Sequence, residues 1–431
     1  AKDLVRFRYS DKEDMFDAVS YNKGGRILHM LRNFVGDSAF FKGMNLYLTQ
    51  NRFKAAEAHH LRLAMEEVTG RDLNWFFNQW YFGAGHPKLD VTYGYDDATR
   101  KATVIVKQTQ TSGKVFTLPV AVDVYHGGNK MRYKVWVKNK VDTFTFNSST
   151  KPDLVNFDAD KMLLAEKKEN KTLENYMFQY KTAKTYLDRR EAIDFAARNQ
   201  SDATAIQFLK AALDDNYHGL RNYTLGKLDM KRDAVRTAVE SAIYSIAQKD
   251  PKPTVRAKAI SLLPNYMNPQ YKALYAKSLN DSSYSVAGEA LDALLAVDSI
   301  AGFKEAQRLS NTNPKGRLGE VISESLIKYG DETAFDVVAK QYADMPLGQS
   351  KFEATQGFAN FLHKVKDLQK FKKGVDLIVE FREAIPASFR NQTDPYINNV
   401  VLSGLATRKK AQGLQEQADY VNSKLGDKKG F

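Results

Sequence analysis

The sequence predicts a multidomain chain, mainly α-helical, in which a small antiparallel β-sandwich separates two helical parts. Three observations carry this. Apolar residues recur at three- and four-residue steps up to about residue 87, at two-residue steps to about 165, and at helical steps again beyond it. The last part also repeats itself, and its polar-to-apolar signal returns after 35, 31 and 32 residues, the length of a HEAT-like helix pair in an α-solenoid. A chain of 431 residues is too long for one hydrophobic core. The expected domains are 1–87, 88–165 and 166–431.

In the first part, Ile27, Leu28, Leu31 and Phe34 draw one apolar stripe along a helix that ends near Gly36. Ser20 is the expected N-cap, because its hydroxyl can accept from an unpaired first-turn amide. Gly24 and Gly25 cost such a helix about 1 kcal/mol each relative to Ala, a cost tolerated where another backbone approaches closely. Tyr21 stands in the first turn, where a side chain either packs or projects into a cleft. Further amphipathic helices are expected over 38–50 and 57–69. An aromatic one follows over 74–82, in which Trp75, Phe76 and Trp80 seal the lobe before Gly83, Gly85 and Pro87 break it.

From His86 onward, runs rich in Val, Thr, Tyr and Phe alternate in polarity over 88–95, 102–109, 115–125, 131–137 and 143–146. With Leu154 to Asp158 closing the set, these make six or seven strands. The stretch Lys161 to Lys171, heavy in Lys and Glu, reads as a linker. Beyond it Asp215, Asp250, Asp281 and Asn313 each precede an apolar residue by five positions (Leu220, Val255, Val286, Leu318), as caps of the second helix of a pair. A closing helix is expected over 415–425, with a frayed tail from Gly426.

The chain has no cysteine, which excludes disulfides, thiolate catalysis and thiolate-held zinc. Its net charge of +13 raises nucleic acid as a partner. However, 64 basic and 51 acidic residues alternate along helices without a block of like charge, and no nucleic-acid-binding motif accompanies them. No apolar run is long enough to insert in a membrane. No Walker loop and no dinucleotide-binding glycine pattern occurs. His59 and His60 are adjacent and diverge by about 100° on a helix, so they do not share an ion, and the other histidines lack ligand spacing. No metal site is expected in this chain.

The segment Tyr21-Asn22-Lys23-Gly24-Gly25 is followed by an apolar helix, Gly36-Asp37, Phe40-Phe41-Lys42-Gly43-Met44 and Tyr47-Leu48. Then come Gly70-Arg71-Asp72-Leu73, Phe76-Phe77, Trp80 and Gly85-His86-Pro87. In order and spacing this resembles the aminopeptidase N family of zinc peptidases, of the gluzincin clan, over about residues 15–90. The resemblance implies a helical remnant of a thermolysin-like catalytic lobe, then a β-sandwich, then helical repeats that cover the active-site cavity and admit short peptides. It implies that the Tyr21 phenol donates a hydrogen bond to the oxyanion formed when the peptide carbonyl is attacked. Lys23 is expected to pair with an acidic neighbour. Phe16 stands where some relatives carry a second tyrosine near the metal, and it supplies only a pocket wall.

The family's H-E-x-x-H zinc motif and its Gly-x-Met-Glu-Asn loop occur nowhere in this sequence. The expectation is therefore the C-terminal portion of a larger zinc aminopeptidase, partnered by an N-terminal catalytic lobe that holds the zinc, with none bound to this chain and no peptide hydrolysis by it alone. Arg221, Arg256 and Arg317 are candidates to line the concave repeat face and meet a peptide C-terminal carboxylate; the alternative is helix-end charge in solvent. A non-catalytic, peptidase-like scaffold that binds partners through its repeats is the other reading. An upstream zinc motif would decide between them.

Overall fold

The computed structural model describes residues 2–183, 185–312 and 314–425. The chain is mostly helical with two small sheets, and it folds as two compact units, Ala1–Phe208 and Leu209–Phe431.

The first unit opens on an extended strap and a 3₁₀ turn at Lys12–Met15. A π-helical turn, Val19–Lys23, then runs directly into α1 (Gly24–Val35). Ser20 is therefore not the N-cap. The wide turn prolongs the helix backwards, so the amide needing a partner is that of Ser20 itself, and Asp17 Oδ1 accepts it at 2.8 Å. The predicted stop holds, with Gly36 at φ 89°, a value that favours glycine. Ile27 and Leu31 are buried as the stripe requires, together with Met30, while Leu28 and Phe34 pack at the edge. Three more helices follow: α2 (Asp37–Gln50), α3 (Ala58–Thr69) and α4 (Asn74–Trp80). Phe76, Phe77 and Trp80 are buried, and Trp75 lies at the rim in edge contact with Phe34 and Trp136.

Seven strands come next: β1 (Lys88–Asp96), β2 (Lys101–Gln108), β3 (Leu118–His126), β4 (Asn129–Val137), β5 (Val141–Asn147), β6 (Leu154–Phe157) and β7 (Glu166–Glu169). They form one sheet in the order β5-β2-β1-β7 and another in the order β4-β3-β6. Val91, Val104 and Val106 of the first sheet and Val122, Val124 and Phe157 of the second belong to one apolar cluster with the helical core. Two expectations are corrected here. The strands are not all antiparallel, because β7 pairs with β1 in parallel, Lys88 opposite Glu166 and Val91 opposite Glu169. The lysine-rich stretch is also not a linker, because β7 lies within it and its charges alternate between the two faces. Glu166 and Lys168 are exposed, while the side chains of Lys167 and Glu169 keep only 12% and 5% of their exposure.

Those inward charges meet a set supplied by α5 (Leu173–Thr182) and α6 (Tyr186–Arg198). Lys161 Nζ contacts Glu191 Oε2 at 2.8 Å, Asn156 Oδ1 at 3.0 Å and Asp188 Oδ1 at 3.2 Å. Lys171 Nζ donates to Gln179 Oε1 at 2.9 Å and Asn156 Oδ1 at 3.2 Å, and lies 3.1 Å from Glu169 Oε1. Buried charge is tolerated only when it is paired and hydrogen-bonded in this way. The network fastens the first two helices after the sheets onto β6 and β7. The division between units falls further on, within α7 (Ala203–Ala212).

The second unit is helical in every described element: α8 (His218–Leu225), α9 (Asp233–Lys249), α10 (Pro253–Leu262), α11 (Lys272–Ser278), α12 (Tyr284–Val297), α13 (Ser299–Ser310), α14 (Gly316–Tyr329), α15 (Phe335–Asp344), α16 (Gln349–Leu362), α17 (Leu368–Ala384), α18 (Ala387–Pro395), α19 (Ser403–Ala411) and α20 (Gln415–Lys424). The repeating aspartates sit two positions before the caps of α8, α10 and α12. Each accepts the amide two residues on: Tyr217, Lys252 and Ser283, at 2.7, 2.9 and 2.9 Å. They turn the chain into the helix, and the N-cap residue follows them. Asn313 and the tail from Gly426 lie outside the described residues.

Candidate functional site

Tyr21 lies in the π-helical turn with its side chain outward. It is 61% exposed, and its ring lies 5.9 Å from that of Phe16, also exposed. No described residue hydrogen-bonds its hydroxyl. The backbone beneath it is held closely. Tyr21 N donates to Asp17 O at 3.0 Å, while Asn22 N and Lys23 N both donate to Ala18 O, at 2.9 and 3.0 Å.

The strap crosses this turn and is tied to it at three places. Arg6 meets Asp17 through two parallel bonds, Nη1 to Oδ2 at 2.7 Å and Nη2 to Oδ1 at 3.1 Å, and Nη2 also donates to Ser20 Oγ at 3.1 Å. The hydrogen bonds from Arg6 hold the Asp17 carboxyl far below the usual carboxylate range. Lys23 Nζ donates to Lys2 O at 3.0 Å and lies 3.5 Å from Gly83 O. Lys23 therefore ties backbone to backbone and does not pair with an acid as expected, and burial draws its ammonium pKa down. At Gly24 a Cβ would lie 3.4 Å from Leu4 Cδ1, whereas nothing lies within 4 Å of a Cβ at Gly25. The close backbone approach expected of the pair exists at neither glycine, and a Cβ at Gly24 would make only ordinary contact with a leucine side chain. Arg6 and Asp17 also line an open hollow of about 700 Å³ with Phe7, Asp14 and Met15. Arg26 continues the attachment from the far side of α1, with Nη2 2.5 Å from Lys161 O.

Sequence reasoning missed the Arg6–Asp17 pair. The available signal was Asp17 three residues ahead of Ser20, a capping spacing, but a carboxylate inside an acidic run gives no sign of which one faces a guanidinium.

The three candidate arginines are each engaged by acids or carbonyls of the second unit. Arg221 forks onto Asp250 at 2.7 and 2.9 Å and donates to Asp215 O at 2.8 Å. Arg256 repeats the arrangement one helix pair on, donating to Asp281 Oδ2 at 2.8 Å and Asp250 O at 3.0 Å. Arg317 contacts Glu289 and Asp292 at 3.0 Å each. Tyr21 belongs to the first unit and the arginines to the second.

His59 stacks on Phe82 and His60 Nδ1 accepts the Glu57 amide at 2.9 Å, so both are occupied in packing and capping. Among the described residues no group of three or more His, Asp or Glu side chains is placed to hold a metal ion. With H-E-x-x-H also absent from the sequence, the residues present do not fit the zinc that the family implies.

Residues 5–80 match the Peptidase family M1 domain. That segment is similar to aminopeptidase N-like M1 peptidases. Over 99 residues the chain is 33% identical to aminopeptidase N of Haemophilus influenzae, and over 97 residues 36% identical to aminopeptidase N of Lactococcus lactis. The first match covers 23% of this chain and 11% of that relative, the second 22% and 11%. Tricorn protease-interacting factor F2 of Thermoplasma volcanium is 38% identical over 77 residues, 18% of this chain and 10% of its own. The chain thus aligns with about a tenth of the length of these relatives. In fold it is similar to Legionella pneumophila aminopeptidase A, solved in complex with aspartic acid, with a TM-score of 0.61 at 14% identity, over 98% of this chain and 59% of that one. The M1 segment contains the strap, the π-helical turn with Tyr21, and α1 to α4.

Proposed function

We propose that this chain supplies one wall of the active site of a zinc-dependent M1 aminopeptidase, which releases N-terminal residues from short peptides. The metal and general base belong to a catalytic lobe upstream of the segment matched here. Tyr21 donates a hydrogen bond from its phenol to the oxyanion that develops on the scissile carbonyl, an interaction strongest in the transition state. One observation carries the reading: within the M1 segment, an outward-facing tyrosine with an unengaged hydroxyl stands on a turn whose backbone is fixed from three directions. The two sheets are read as a β-sandwich and the helices after them as HEAT-like repeats, with the domains 1–87, 88–165 and 166–431. Nucleic acid and membrane have no place in the proposal. Arg221, Arg256 and Arg317 enter it as ties between successive helices, because their donors already have acceptors.

The test is Tyr21→Phe in the full-length enzyme. Turnover on aminoacyl anilides should fall roughly 100- to 1000-fold, the usual effect of losing one oxyanion donor, with the thermal melt unchanged. Wild-type turnover in that variant removes the assignment. The chain on its own should hydrolyse no peptide, with or without added zinc.

A further inference from the structure

We propose that Arg6 and Asp17 form a positioning pair for Tyr21, a guanidinium–carboxylate clamp that fixes the π-helical turn and thereby aims the phenol; this rests on the reading of Tyr21 given above. A π-helical turn is wider than an α-turn and uncommon, and it persists where its surroundings hold it. Here the surroundings are specific. Asp17 accepts the Ser20 amide through Oδ1 and the Tyr21 amide through its main-chain carbonyl. The carboxylate is in turn gripped by both terminal nitrogens of Arg6, one of which also reaches the Ser20 hydroxyl. Two parallel charge-assisted bonds fix orientation as well as distance.

The clamp has this role because of what Tyr21 lacks. Its exposed ring has Phe16 as an aromatic neighbour and no hydrogen bond, so the direction of its side chain follows from the backbone on either side. Phe16 immediately precedes Asp17, so the same bond sets both rings. Arg6 comes from the strap, whose Val5 amide is fixed on Tyr81 O at 3.0 Å. The phenol is therefore referenced to α4 through a chain of hydrogen bonds running Tyr81, Val5, Arg6, Asp17 and Ser20. Neither Arg6 nor Asp17 touches the reacting atoms.

The experiment is a double-mutant cycle in the full-length enzyme. Asp17→Ala should lower kcat about 10- to 100-fold, the size of loss that a misplacement of roughly 1 Å produces, with KM little changed. Arg6→Lys, which keeps the charge and loses the fork, should act in the same direction with a smaller loss. In a Tyr21→Phe background Asp17→Ala should cost nothing further, a result that a purely structural role would not give. An equal fold-loss in both backgrounds overturns the proposal. An impaired Tyr21→Phe beside an unimpaired Asp17→Ala overturns the clamp alone. An unimpaired Tyr21→Phe overturns the tyrosine reading, and the clamp with it. Should Asp17→Ala fail to fold, Arg6→Lys runs the same cycle.

Discussion

At Gly288 a Cβ would sit 2.7 Å from the main-chain carbon of Arg317 and the amide nitrogen of Leu318. The obstacle is backbone, so α12 and α14 must separate to admit even a methyl group. Gly288→Ala should destabilise the protein by about 1 to 3 kcal/mol, the usual range for overpacking, read from urea unfolding. Gly25 is the opposite case. It is helical and a Cβ there meets nothing within 4 Å, so Gly25→Ala should leave stability unchanged or raise it by up to about 1 kcal/mol. Sequence alone gave both glycines of the Tyr-x-Lys-Gly-Gly segment one rationale, because helical period does not reveal which side another element approaches. The same limit hid Arg6, whose partner lies eleven residues further along the chain. The segment around Tyr21 stood out in sequence because several punctuating residues agree in order. The state of the Asp17 clamp follows from its carboxyl pKa, which the Arg6 hydrogen bonds lower in the fold. A carboxyl depressed in this way adds stability above its unfolded pKa and loses it only as pH falls through the lower, folded value. Amide exchange at Ser20 and Tyr21 should therefore be equally protected, after correction for intrinsic rate, from pH 7 down to pH 4. Loss of protection already near pH 4 would contradict the pairing.

At the scale of elements, helices were easier to read than the ends of the sheets. The stripe of α1, the ranges of α2 and α3 and six strand positions follow from side-chain period. β7 did not, because its inward residues are Lys167 and Glu169, and no hydrophobic pattern marks a strand whose buried face is ionic. Lys161 tests the energetics of this element. Its side chain is 3% exposed and it serves Asp188 and Glu191 together. Lys161→Met should cost about 3 to 5 kcal/mol, since removing one partner strands buried charge. Lys168→Met, on the exposed face of the same strand, should stay within about 0.5 kcal/mol. Chemical denaturation of the two variants side by side is the measurement. In the second unit the aspartates recur visibly in sequence, yet their second use was not legible there. Asp250 turns the chain into α10 and also receives the fork of Arg221 from α8, and Asp281 turns it into α12 and accepts a single bond from Arg256 of α10.

For the molecule as a whole, two compact units imply two unfolding events wherever their stabilities differ. All three tryptophans, Trp75, Trp80 and Trp136, belong to the first unit, whereas helices make up every described element of the second. Tryptophan fluorescence and far-ultraviolet dichroism should therefore give denaturation curves with different midpoints. Superimposable curves would mean that the two units melt as one. The overall charge of +13 is spread over a surface where acids answer many of the bases, as the ties of Arg132 to Asp123 and Asp160 illustrate. What sequence could not supply at this scale was where the division falls, because composition changes near residue 165 while the packing carries on to Phe208.

The stretch from Lys161 to Lys171 has a practical corollary for anyone wishing to split the protein. It has the look of a spacer, the obvious spot to clip, fuse or shorten. Yet Lys161, Lys167 and Lys171 are turned inward, with Lys168 alone exposed, and a truncation there would strip α5 and α6 from the lysines that neutralise their carboxylates.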